Sequence, residues 1–172
     1  MRYRLLSAII LTAAVSGCGT MPKNAAEFRR MAPGSSMIKV ERFEVDRPFR
    51  QVAKTFRQRA DTCLRVRVTT DTSGGYRSHA TTFREDYLPT TRITGHRAEL
   101  HVQNHIEGTN LIKVHEEPEG GYYLLVADAF PAGPNRTRID LYRPTIGHAV
   151  LTQSVRNWAT GENLGCPDLT KK

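Results

Sequence analysis

Apolar positions alternate with a period of two over most of this chain, a pattern typical of strands with one buried face. A first strand is predicted at Met37–Val45, and a meander of about five strands is predicted between Leu64 and Tyr142. The most apolar of these strands, Tyr122–Phe130, is expected to be central, and Leu111–His115 is expected to precede it. Pro89 is expected to interrupt or end the strand that contains it.

Two segments instead repeat apolar residues at i, i+3, i+4 and i+7, which is the spacing of one helix face. The first begins at Phe49, with Asp46 as the expected cap and Pro48 in the first turn. The second is expected to open at Pro144 and to end at Gly161, a plausible C-cap residue. Its predicted apolar stripe contains Ile146, Val150, either Ser154 or Val155, and Trp158.

Short turns between successive strands favour antiparallel neighbours, and two helices are available to cover the sheet. The sequence therefore predicts an α+β fold for residues 37–172, with an antiparallel sheet of about six strands and two helices on one face. The order of elements resembles a helix-grip arrangement. It is similar in outline to the helix-grip domains of the C subunit of the outer-membrane barrel-assembly machinery, which is also a lipoprotein.

The first residues have the pattern of a secretory signal. Arg2 and Arg4 precede an apolar run, Leu5–Val15, and small residues follow it. We therefore predict a signal peptide at residues 1–17. No other run reaches the length of about 18 apolar residues that a spanning helix needs.

The residues Val15-Ser16-Gly17-Cys18 at the end of this signal resemble the signal box of bacterial lipoproteins. The resemblance implies cleavage before Cys18, a diacylglycerol on its sulfur and an acyl chain such as palmitate on its amino group. A plain cleaved signal is the alternative. In the same family, Gly19 after the cysteine implies the periplasmic face of the outer membrane. Residues 18–36, rich in glycine, proline and serine, are predicted to be a lipidated tether. Ala25–Met31 is expected to form one or two helical turns that would be marginal alone.

Two further blocks resemble a group of uncharacterised proteobacterial envelope lipoproteins. They are Gly120–Asp128 and Trp158–Asn163. This second resemblance agrees with the cellular location predicted from the N-terminal segment, but it implies no activity.

Cys63 and Cys166 remain once Cys18 is assigned to lipidation. In an oxidising compartment a pair of cysteines is expected to form a disulfide, and two free buried thiols are the alternative. The loop is long, so the chain-entropy model gives a stabilisation of about 4 to 5 kcal/mol, less any strain.

The formal net charge is +8, of which two units belong to Arg2 and Arg4, so the mature chain carries +6. A basic surface favours an anionic partner. Outside the cytoplasm that partner is expected to be lipid headgroups or an envelope protein rather than nucleic acid. The alternative is a surface whose charges are merely unbalanced.

Candidate catalytic and metal-binding patterns are weak. His101, His105 and His115 suggest a zinc site, but their surroundings lack a familiar ligand spacing, so no metal is predicted. Asp71–Gly74 matches the aspartic-protease motif only in part and is interpreted as a turn. No nucleophile elbow or complete phosphate loop is present in the sequence. We therefore predict neither a catalytic residue nor a cofactor.

These observations predict a membrane-anchored envelope lipoprotein that acts as a non-enzymatic binding or assembly module. The alternative is a carrier or sensor of a small apolar ligand, held between the sheet and the C-terminal helix by analogy with helix-grip folds. An enzyme is the third hypothesis.

Overall fold

The computed structural model describes residues 21–72, 81–108 and 117–170. The predicted signal peptide, Cys18 and the predicted strand at Leu111–His115 lie outside the described residues. The helices are α1 (Ala25–Met31), α2 (Phe49–Arg59), which a π-helical turn (Ala60–Leu64) extends, and α3 (Ala149–Thr160). The strands are β1 (Ile38–Val45), β2 (Arg67–Thr72), β3 (Thr81–Ile93), β4 (Ala98–Gly108), β5 (Tyr122–Gly133) and β6 (Arg136–Pro144).

The described strands form one six-stranded sheet in the order β1-β6-β5-β4-β3-β2. Every pair of neighbours is antiparallel, so the predicted α+β class with an antiparallel sheet is confirmed. β4 and β5 lie in the middle of the sheet, as expected for the most apolar strand. β1 and β2 are the two edges.

The main core lies between one face of the sheet and the two predicted helices, α2 and α3. Alternate residues of β4, among them Leu100 and Val102, point toward these helices and are fully buried. Leu151, Val155 and Trp158 of α3 meet them and are at most 1% exposed. Burial of each such side chain contributes about 1.5 to 3 kcal/mol. We call this side of the sheet the main core face.

The opposite face of the sheet carries α1, which we call the α1 face. Phe28 is buried against Tyr123, with ring centroids 5.7 Å apart, and Ala25 and Ala32 are buried beside it. Within the segment predicted as a tether, residues 25–32 are thus docked, because an apolar side of this short helix has a sheet to pack on. Asn24 caps the helix, since its Oδ1 accepts a hydrogen bond from Glu27 N at 2.9 Å.

The start of α2 differs from the prediction. Pro48 is the N-cap residue and makes no side-chain capping bond. Asp46, the expected cap, is exposed instead, and its Oδ1 lies 3.7 Å from Arg136 Nε. At its other end α2 continues into the π-helical turn, so β2 starts at Arg67 rather than at Leu64.

Pro89 lies inside β3 and does not end it, contrary to the prediction. Tyr87 N donates to Val66 O at 2.9 Å, so the amide positions of Tyr87 and Pro89 both face the β2 side. The pairing of β2 stops at Asp86. Pro89 is therefore tolerated, because no β2 residue pairs with it and its missing N–H removes no hydrogen bond between β2 and β3.

α3 begins later than predicted. β6 extends to Pro144, and Gly147 and His148 then take left-handed φ values of 82° and 56°. This turn delays the helix to Ala149 and leaves Ile146 84% exposed rather than on the buried stripe. The predicted C-cap at Gly161 is confirmed by a φ of 84° and a bond from its N–H to Asn157 O.

Candidate functional site

Cys63 and Cys166 form a disulfide in the structure, with Cα atoms 5.0 Å apart. Cys63 lies in the π-helical turn after α2, and Cys166 lies in the tail after α3. Trp158 Nε1 donates to Gly165 O at 3.0 Å and positions the tail next to the cysteine. The bond therefore joins the ends of the two helices on the main core face.

A charged cluster joins α1 to the sheet. Glu99 and Asp128 are paired across β4 and β5. Arg29 Nε donates to Asp128 Oδ2 at 2.7 Å and its guanidinium also pairs with Glu99, while Arg97 Nη2 lies 2.8 Å from both carboxylates. Hydrogen bonds from the His101 ring and from Arg29 lower the pKa of Glu99 to about 2, against the effect of burial. Two guanidinium groups balance two carboxylates, so this cluster attaches α1 rather than leaving a charge available for chemistry.

The two described candidate zinc ligands bind carboxylates instead. His101 Nδ1 lies 3.0 Å from Glu99 Oε1, and His105 Nδ1 lies 2.7 Å from Glu117 Oε1. His115 lies outside the described residues. Among the residues described, no group of three or more His, Cys, Asp or Glu side chains is placed to hold a metal ion.

A groove of about 550 Å³ lies between α2 and the turn that joins β3 to β4. Arg50, Lys54 and Arg57 line it, and all three side chains are exposed. Its apolar floor includes the buried Ala53 and the half-buried Ile93. We call it the cationic groove.

The described part of the fold does not balance the charge of the cationic groove. The eleven residues of α2 contain four cations and no acidic residue. Within residues 21–72, 81–108 and 117–170, Arg50, Lys54 and Arg57 form no ion pair and no side-chain hydrogen bond. The sequence places these cations on the outer face of a helix, but the second wall of the groove, at Ile93–Gly95, depends on tertiary packing. The sequence therefore did not predict the groove.

A second groove, of about 660 Å³, lies at the end of the sheet where β1 begins and β6 ends. We call it the apolar groove. Its apolar lining includes Met21, Phe28, Met31, Ile38, Tyr122 and Leu124.

Glycine shapes one wall of the apolar groove. Gly121 has a φ of 96°, and a Cβ there would lie 2.1 Å from Asn104 O. Only glycine therefore allows β5 to start this close to β4, next to Tyr122. Gln103 Nε2 donates to Gly121 O at 2.9 Å and holds the turn in place.

Three large apolar side chains are exposed at this end of the sheet. Met21, which lines the groove, is 40% exposed; Met37, also in the lining, is 72% exposed. Ile146, 84% exposed, lies between the lining residues Pro144 and Gly147. Thr145 N donates to Met37 O at 2.9 Å, which brings the two segments together.

The two grooves lie at different ends of the sheet. The pairing places Ile93 level with Ala98, Ala129, Ile139 and Phe43 on the successive strands. Phe43 is five residues along β1 from Ile38, a separation of about 17 Å at the rise of an extended strand.

No family model matches the chain, and neither a curated protein nor a solved structure matches it. None of the helices in the described part of the chain has the length and apolar character needed to cross a membrane.

Proposed function

We propose that this protein is a lipid-anchored lipoprotein of the periplasmic face of the outer membrane. In this proposal it acts as a non-enzymatic binding module, with Cys18 as the acylated residue. The cationic groove is its binding surface, and an acidic segment of another envelope protein is its partner. The observation that carries the proposal is the set of three exposed cations, Arg50, Lys54 and Arg57, which no described residue neutralises.

The shape of the groove supports an extended acidic ligand. The three cations follow one another at helical spacing along one side of α2, and the turn at Ile93–Gly95 forms the facing wall. An apolar floor allows the ligand to bury non-polar groups between its carboxylates. Charge complementarity of this kind raises the association rate and the specificity more than the affinity.

The position of the groove favours a protein partner over headgroups of the membrane that carries the anchor. Met21 lies in the apolar groove, so the chain leads back toward Cys18 at the end of the sheet opposite the cationic groove. Because α1 is docked, about three residues separate Cys18 from the folded part. The proposed anchor would therefore keep the cationic groove on the far side from its own bilayer.

The proposal is tested by titrating the mature chain with a fluorescent polyglutamate peptide, and separately with phosphatidylglycerol vesicles. Replacing Arg50, Lys54 and Arg57 together by glutamine should weaken peptide binding about tenfold or more at low salt. Peptide binding to the wild type should weaken as salt rises, since exposed charges are screened beyond about 8 Å at 0.15 M.

The matched control removes the same number of cations elsewhere. Arg30, Lys39 and Arg136 are exposed and lie outside the groove, so replacing them by glutamine should leave peptide binding within about twofold. Equal losses of peptide affinity in the two triple variants would show that only the net charge of the protein matters. That result would contradict the assignment of the groove as the binding surface. Groove-dependent binding of vesicles without binding of the peptide would make headgroups the partner.

The anchor has its own test. Metabolic labelling with palmitate should mark the wild type and not the Cys18→Ser variant. Labelling of both would contradict acylation at this residue.

The second candidate function, carriage of a small apolar ligand, is supported by the apolar groove. Its location differs from that expected of a helix-grip carrier, because Leu151, Val155 and Trp158 fill the space between α3 and the sheet. Its volume lies within the range of about 300 to 1,000 Å³ typical of ligand sites. Native mass spectrometry of the purified Cys18→Ser chain should show a co-purified apolar molecule if this function is correct.

A further inference from the structure

The apolar groove and the proposed lipidation site are adjacent along the chain. Met21 lines the groove, and Cys18 precedes it by three residues. Three residues extend over about 11 Å at most. A fatty acyl chain attached to Cys18 therefore starts within reach of the groove.

From this we propose that the apolar groove holds one acyl chain of the protein's own Cys18, so that the anchor has a bound position on the folded domain as well as one in the bilayer. This inference rests on the proposed function, because it requires Cys18 to be acylated. It assigns a ligand, the acyl chain, to the apolar groove, which the proposed acidic partner does not contact.

The chemistry of the groove suits a hydrocarbon chain. Flexible methionines at Met21 and Met31 adapt to an unbranched chain, and the aromatic ring of Phe28 adds a rigid wall. The exposed Met37 and Ile146 extend the apolar surface outward from the groove. A contiguous exposed apolar surface of this kind marks a binding or membrane-interaction site.

The location also explains why α1 is docked. α1 contributes Phe28 and Met31 to the groove, and the charged cluster at Arg29 holds the helix on the sheet. A free tether would leave the groove without this wall. The acyl chain on the groove would in turn keep the domain close to the membrane surface, with the cationic groove pointing away from it.

Photo-crosslinking tests the position of the chain. Cells expressing the full chain are fed palmitate that carries a photoreactive diazirine, and isolated membranes are irradiated before the protein is digested and mapped. Crosslinks from Cys18 should appear in peptides that contain Met31, Met37 or Tyr122. Crosslinks confined to phospholipid, or to peptides outside the groove, would overturn the inference and leave the proposed function intact. Absence of the label from the protein would overturn both.

Matched variants sharpen the result. Met31→Glu places a charge in the groove, and Leu164→Glu places one at an exposed apolar residue away from it. The first should reduce crosslinking to the groove peptides about tenfold relative to phospholipid, and the second should leave the ratio unchanged. Met37→Glu provides a second groove variant. Because Met37 is 72% exposed, we expect this variant to fold as the wild type does.

A competition experiment separates the protein's own chain from a carried ligand. Unacylated Cys18→Ser protein should bind fluorescent palmitate, and the acylated wild type in lipid nanodiscs should bind it about tenfold more weakly, because its groove is occupied. Equal binding by the two proteins would show an open groove that takes a free ligand, and it would overturn the inference.

Discussion

Glu99 lies at the centre of the charged cluster on the α1 face. It is paired with Asp128 across the strands and bonded to both Arg29 and His101. Two adjacent carboxylates on neighbouring strands would repel each other without these partners. The ionised form of Glu99 is thus the form that the fold requires.

A depressed pKa makes Glu99 a source of stability that acid removes. Its pKa is about 2 in the folded state against 4.5 for a free glutamate, so its contribution is complete above about pH 4.5 and is lost as the pH falls toward 2. We expect Glu99→Gln to lower the free energy of unfolding by about 1 to 2 kcal/mol at pH 7, because solvent screens part of the charge interaction. Denaturant titrations at several pH values should show the gap between wild type and variant closing below about pH 4.5. A gap that stays constant across that window would contradict this role.

Not every residue in this cluster could be recognised from the sequence. Glu99 and His101 alternate with apolar residues and were correctly placed on one face of a strand. Arg29 lies 70 positions before Glu99 and 99 positions before Asp128. Only the folded chain brings these three residues together. The cysteine pair was different, because the number of cysteines and the predicted oxidising compartment were enough to predict it.

At the scale of elements, α1 has a local signal for its start but none for its docking on the sheet. Asn24 followed by Glu27 is a variant of the capping box, since Lys23 N also donates to Glu27 Oε2 at 2.8 Å. That signal indicates a helix start. Nothing local indicates that so short a helix docks on the sheet, because its stability comes from Phe28 and Arg29 meeting distant residues.

Removing the apolar contact should release α1 while the sheet stays folded. We expect Phe28→Ala to increase the hydrogen-exchange rate of the amides in Ala25–Met31 at least about tenfold, with little change in β4 and β5. Arg30→Ala changes an exposed side chain of the same helix and serves as the control. Equal acceleration across the whole sheet would show that α1 unfolds together with the core.

Other element boundaries were wrong for reasons of backbone geometry. Pro89 stays in β3 because β2 has already ended on that side, which depends on the sheet and not on the residue. α3 starts late because Gly147 and His148 both take left-handed conformations. Gly161 was predicted correctly, since its requirement for positive φ is local.

Across the whole molecule, the architecture followed from the order of elements and the length of the turns. The sequence did not predict the second wall of the cationic groove or any part of the apolar groove. Each of these combines segments that are distant in sequence. The disulfide is the one long-range contact that sequence reasoning anticipated, and it spans 103 positions.

Loss of this disulfide should lower the stability of the whole domain. Cys63→Ser is expected to reduce the free energy of unfolding by about 2 to 5 kcal/mol, because the unfolded chain loses its largest constraint. Cys166→Ser should cost a similar amount, and the double variant should be no less stable than either single one. Thermal and denaturant unfolding measure this, and additive losses in the double variant would contradict a shared bond.

The path of the disulfide also determines how the molecule bears mechanical load. The bond closes a covalent ring that contains all strands from β2 to β6 together with α3, whereas α1, β1 and α2 precede Cys63 and lie outside it. Among the described strands, β1 lies at an edge of the sheet and pairs with β6 alone. A pull between the proposed N-terminal anchor and a partner bound at the cationic groove would therefore load α1 and β1 first, because they precede the groove residues of α2. The chain from Met21 to Cys63 would span about 150 Å when fully extended. Beyond it, the disulfide holds Cys63 and Cys166 together until the bond is reduced.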